Sequence, residues 1–178
     1  MTATTPIWSY RVSLDDVPES GAHFTIEADN GARDELARAL GLRELPRLSA
    51  SFDVTRRGGG GLHVVGEVNA IVGQNCVVTL EPIENELNEA IDLIFAPDTP
   101  SIADERGEAT IEFSDDEPPE AMIGGEIDLG VVATEFLLLG IDPYPRKEGA
   151  TFEPRVAGDP ESHPFAALGS LRKKKGDG

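Results

Sequence analysis

The chain has one cysteine, Cys76, and so can neither close a disulfide within itself nor assemble a cysteine-based zinc site. No stretch approaches the ~20 consecutive apolar residues that span a bilayer. Residues 1–25 also lack an apolar run set between a basic start and a small-residue cleavage site, so a cytoplasmic protein is expected. Positive charge is scarce: 15 Lys and Arg stand against 33 Asp and Glu, a formal net charge of -18. Nucleic-acid affinity draws on cations that displace the counterions of phosphate backbones, so DNA binding and broad RNA binding are not expected. The same charge suits either solubility alone or an acidic surface for a basic partner.

What is present points to a mixed fold. At 178 residues the chain can bury one substantial core, and 19 Gly with 13 Pro favour a loop-rich β-containing protein over a helical bundle. Strands are expected at Ile7 to Val12 and at Phe24 to Glu27. A helix capped by Asp29 or Asn30 should run through Leu40, with Asp34 and Arg38 one turn apart and Gly41 as terminator. From Leu48 the period becomes two. Leu48, Ala50, Phe52 and Val54 face one way, and the alternation resumes at Leu62, Val64, Val68, Ala70 and Val72, then at Leu87 to Phe95. Arg56, Arg57 and the glycines from Gly58 to Gly61 read as a flexible hairpin loop. The glycines lack the Gly-Lys-Ser/Thr ending of a phosphate cradle.

Asp98 to Glu120 is acidic, with a candidate strand at Ala109 to Phe113 closed by Pro118 and Pro119. A second helix follows: Asp128 as N-cap, Gly140 as terminator, Pro143 and Pro145 beyond it, and Leu129, Val132, Ala133, Phe136, Leu137 and Gly140 on one face. The fold class is α+β, an antiparallel multi-stranded sheet, as a meander or partly closed barrel, with two or three short covering helices. Residues 1–160 are expected to form one domain. Residues 161–178 form a mobile docking segment and basic tail, in which Phe165, Leu168 and Leu171 recur at near-helical spacing.

Three segments in order resemble the YceD family, a domain family (DUF177) linked to accumulation of the large-subunit ribosomal RNA in bacteria, in particular its alphaproteobacterial type. They are Gly66 to Pro82, containing Cys76 and Leu80; Ile127 to Pro145, containing Asp128, Leu129, Glu135 and Phe136; and His163 to Lys175. The resemblance spans roughly Leu48 to Lys175. It implies a non-enzymatic role in synthesis, processing or stability of 23S ribosomal RNA. Cys76, Leu80, Pro82, Asp128, Leu129, Glu135, Phe136, Pro143 and Pro145 are then candidate structural or partner-binding positions. Many family members carry a second cysteine where this chain has Thr79, so paired-thiol chemistry is not expected, and Ile141 to Arg146 lacks the histidine found in some members.

No catalytic residue, metal site or cofactor is expected. His23, His63 and His163 lie far apart, and each lacks a second ligand at metal spacing. His63 should sit on the strand face opposite Leu62 and Val64. Cys76, among valines at a strand end, reads as a small apolar residue, since no cation or helix start is visible nearby to activate it. Arg172, Lys173, Lys174 and Lys175 form the one dense basic cluster, either a solubilising end or a weak, salt-sensitive RNA contact. The expected partner is a basic ribosomal protein or a pre-ribosomal particle. The competing classes are a regulatory protein-interaction module with no direct ribosomal RNA role and an RNA-processing enzyme.

Overall fold

The computed structural model describes residues 5–97 and 119–152. The candidate strand at 109–113, most of the acidic stretch, the docking segment and the basic tail lie outside them. The chain divides into two compact units, Met1–Lys147 and Glu148–Gly178, and the elements below belong to the first.

The elements are β1 (Arg11–Ser13), β2 (Ala22–Glu27), α1 (Asn30–Ala39), β3 (Glu44–Arg57), β4 (Gly61–Asn75), β5 (Pro82–Pro97), β6 (Glu120–Met122), β7 (Glu126–Asp128) and α2 (Leu129–Gly140). Strands β2-β3-β4-β5-β6 form one sheet, and β1 pairs with β7 in a two-stranded sheet. Every pairing is antiparallel except β5 with β6. The larger sheet ends at β2 and β6 among the described residues, so the meander is the form observed and the partly closed barrel is not.

The alternation read from the sequence produces this sheet. Leu48, Ala50, Phe52 and Val54 of β3, Val64, Val68, Ala70 and Val72 of β4, and Leu87, Ile91 and Phe95 of β5 are buried in one apolar cluster with Leu36 of α1 and Leu137 of α2. Each fully buried Leu, Val or Phe contributes about 1.5–3 kcal/mol. The other face is polar. His23 and Asp53 sit opposite each other and bond at 2.8 Å, His63 reaches Asp92 at 2.7 Å, and Asn88 donates to Asn69 at 2.7 Å. His63 is thus partly exposed on the face away from Leu62 and Val64, as its position in the alternation requires.

Several elements differ from expectation in extent. The strand foreseen at Ile7 to Val12 shrinks to Arg11–Ser13, because Trp8 turns into the core and is 8% exposed. Arg56 and Arg57 belong to β3 and not to the hairpin loop. Arg56 is held there by donating to the carbonyls of Val17 and Leu14, the latter at 2.7 Å. Only Gly58–Gly60 forms the turn, where Gly59 at φ 77° and Gly60 at φ 80° take a conformation costly for residues with a Cβ. Asp29 caps α1 by accepting from Ala32 N at 2.8 Å. Arg38 reaches the Asp34 carbonyl at 3.0 Å, so the expected turn-to-turn contact is made through main chain.

Candidate functional site

The β4–β5 hairpin does not end in a free loop. Within Cys76 to Glu81, Cys76 N donates to Glu81 O and Leu80 N to Cys76 O, both at 2.8 Å, while Leu80 takes φ 62°, rare for a residue with a side chain. The chain leaving α2 then clasps this end. Gln74 Nε2 donates to Asp142 O at 2.8 Å, Val77 N to Pro145 O at 2.9 Å, and Lys147 Nζ meets Glu81 at 3.0 Å. That bond and the ammonium charge hold the Glu81 carboxyl below its usual range. Pro145 is buried in the contact, whereas Pro143, Pro82 and Leu80 are exposed.

Cys76 lies at the centre of the clasp. Its Sγ accepts main-chain N–H bonds from Lys147 at 3.3 Å and Thr79 at 3.4 Å. The Lys147 N–H first, and the Thr79 hydroxyl and N–H after it, favour the thiolate and bring the thiol from 9.0 to about 6. The side chain is fully covered, but the cover is thin, and burial raises the pKa by less than these donors lower it. Neither a cation nor a helix start causes this depression. The depressing groups are main-chain amides and the Thr79 hydroxyl, the leading amide lying 71 residues away along the chain. No second thiol exists to join it, and it is not open to solvent. Among the described residues no three His, Cys, Asp or Glu side chains gather as a metal-binding group.

Asp128 organises the start of α2. Its Oδ1 accepts from Gly130 N at 3.0 Å and Val131 N at 3.2 Å, capping the helix, and from Tyr10 N at 2.8 Å. Its Oδ2 accepts from Ser9 Oγ at 2.5 Å. One carboxylate thus caps the helix and pins the segment leading into β1. Gly130 permits the approach, since a Cβ there would stand 2.8 Å from the Trp8 carbonyl. Leu129, Val132, Ala133 and Leu137 are buried below. Phe136, expected on that face, packs against the core cluster but is only partly buried, and Leu139 is 75% exposed.

Phe136 also borders a groove of about 680 Å³ between α2, the end of β5, and β6 and β7. Leu93, Phe95, Ile127 and Val132 supply apolar lining, while Glu120, Glu126 and Glu135 bring acid to it. Among the described residues Arg11 is the only basic one of the lining, and it pairs with Glu126 at 3.7 Å. Burial, and then the Glu120 charge, push the Glu135 carboxyl up from its ordinary value.

The candidate positions therefore fall into separate places. Cys76, Leu80, Pro82, Pro143 and Pro145 gather at the hairpin end, Asp128 and Leu129 at the start of α2, and Glu135 and Phe136 at the groove, whose lining Asp128 also reaches. Arg172 to Lys175 lie outside the described residues. Sequence reasoning missed Gln74 and Lys147 in the clasp, and Ile123 and Glu126 at the groove. The two-glycine turn Gly124-Gly125, both at positive φ, was the available signal for the latter pair.

The chain is thus an acidic α+β protein with one sheet face covered, a clasped hairpin end and an acid-rimmed apolar groove. The family model described as large ribosomal RNA subunit accumulation protein YceD matches residues 64–172, more than half of the chain, and the chain belongs to that family. The matched span begins within β4, later than the Leu48 expected from the motifs, and takes in the hairpin end, the clasp and α2. No curated protein and no solved structure matches the chain. Among the described residues no helix is long and apolar enough to cross a membrane.

Proposed function

We propose that this protein supports the synthesis, processing or stability of 23S ribosomal RNA without catalysing a reaction, by binding a basic ribosomal protein or a pre-ribosomal particle in the cytoplasm. Family membership over residues 64–172 carries the ribosomal part of this reading. The partner's sign follows from the -18 net charge, which attracts a cationic protein and repels naked RNA. Direct RNA contact is then confined to Arg172, Lys173, Lys174 and Lys175, and weakens steeply as salt rises. The resemblance to alphaproteobacterial members is part of the same reading.

Affinity capture of the tagged protein from cells at low and high salt, with proteins and RNA both identified, tests this. A basic ribosomal protein retained with little RNA at high salt is the expected result. A single non-ribosomal partner, with 23S levels unchanged in a deletion strain, would instead support a regulatory module. Salt-resistant capture of RNA by the chain without its last seven residues would support a direct RNA-acting role.

A further inference from the structure

We propose that the groove between α2 and the β5, β6 and β7 strands is a docking site for a cationic, apolar-faced segment of a partner protein. It rests on the reading that the partner is basic, and it names the surface that partner meets. Apolar contact is the first support. Val131, Glu135 and Leu139 recur every four residues, so they form one stripe along α2, beside Val132 and Phe136. Of the groove's lining, Leu139 is 75% and Ile123 85% exposed, among the most exposed large apolar side chains described. In an otherwise acidic surface these residues gain nothing from water.

Charge complementarity selects the occupant. Glu120, Glu126 and Glu135 rim the groove against Arg11, which is already paired with Glu126. The Asp128 carboxylate, also in the lining, is taken up by the N–H and hydroxyl donors at the start of α2. The groove therefore keeps an excess of negative charge beside an apolar floor. The acidic stretch from Asp104 to Glu117 would bring more of the same sign, whereas Phe165 to Lys175 of this chain also joins apolar and basic residues. Partner binding is therefore compared with a chain lacking residues 161–178: unchanged binding is expected, and a gain on removing them would make that segment the occupant and overturn the proposal. A segment bearing Lys or Arg next to large apolar side chains satisfies both features. The upward push on the Glu135 carboxyl by burial and by Glu120 is what a docked cation would reverse.

The test uses the full chain immobilised and, as probe, the total proteins of purified large ribosomal subunits freed of RNA. The variants are Leu139→Asp with Ile123→Asp, Glu120→Gln with Glu135→Gln, and Val65→Asp on the uncovered sheet face, with folding of each verified by circular dichroism. The retained protein, once purified, should bind both groove variants at least about tenfold more weakly and bind Val65→Asp as it binds the unaltered chain. The aspartate pair is decisive because it adds negative charge: purely electrostatic attraction would be kept or strengthened, whereas apolar docking would be lost. Equal binding by all variants would overturn the groove while leaving the basic partner in place. No retention by the unaltered chain would remove that reading and the groove with it. A dimer of the unaltered chain in light scattering, dissociated by Leu139→Asp with Ile123→Asp, would make a second copy the occupant and overturn the proposal.

Discussion

The hairpin end around Cys76 and the groove beside α2 treat their residue types in opposite ways. At the hairpin end a thiol with a pKa near 6, a residue type that elsewhere does chemistry, is sealed under main chain and used as a hydrogen-bond acceptor. At the groove, leucine, isoleucine and phenylalanine, residue types that elsewhere fill cores, are left partly or wholly uncovered. The comparison teaches that residue type alone misassigns both places, and that what covers a side chain decides its role. If it is right, substitutions in the first region and on the inner face of α2 cost folding, and substitutions on the outer face of α2 cost binding.

The largest effect should come from the inner face of α2. Leu137→Ala removes a fully buried side chain and should destabilise the protein by about 2–5 kcal/mol in urea unfolding. Phe136→Ala, one residue away but only partly buried, should cost about 1–2 kcal/mol, below the ~3–5 kcal/mol of a fully buried ring. Equal costs at the two positions would erase the distinction between the faces. Asp128→Ala should cost about 1–2 kcal/mol through loss of the helix cap. It should also raise hydrogen exchange at the Tyr10 amide, which the same carboxylate holds.

How much of this was legible in the sequence follows from the kind of interaction involved. The strands β3, β4 and β5 were visible because one wet face imposes a period of two on their residues. Strands β1, β6 and β7 span three residues each, too few to show a period, and only their pairing partners define them. The degree of burial along α2 is not marked in the sequence because nearly every residue from Leu129 to Leu139 is apolar, so no stripe separates the fully buried Leu137 from Phe136, which packs against the core but stays partly exposed. The clasp was not legible at all. It joins Gln74, Cys76 and Val77 to Asp142, Pro145 and Lys147 mostly through backbone groups, which leave no trace in residue type.

A smaller effect is a pH dependence. The Cys76 thiol is held near 6 in the fold, below its ordinary 9.0, so the folded protein carries the thiolate over a range where the unfolded chain still binds the proton. Its contribution to stability is complete above about 9 and is lost as pH falls through about 6. The difference in melting temperature between the unaltered protein and Cys76→Ala should therefore widen with rising pH across that window. A constant difference would mean that the thiol is not depressed. Native labelling by iodoacetamide should be slow and should accelerate once denaturant opens the clasp, because access and not ionisation limits this thiol.

The smallest effect separates a backbone group from the side chain that carries it. Lys147 approaches Cys76 through its main-chain N–H at 3.3 Å, while its ammonium is occupied with Glu81 at 3.0 Å. Lys147→Ala keeps the N–H and loses only a half-exposed ion pair, so the thiolate absorbance should titrate as in the unaltered protein and stability should hardly move. Lys147→Pro deletes the N–H and should shift that titration upward, toward the ordinary thiol value. If Lys147→Ala raises the thiol pKa as far as Lys147→Pro does, the ammonium charge is the cause. The hairpin end would then be governed by a side-chain charge and not by the main chain that seals it, and the contrast between the two regions would fail on the side of the clasp.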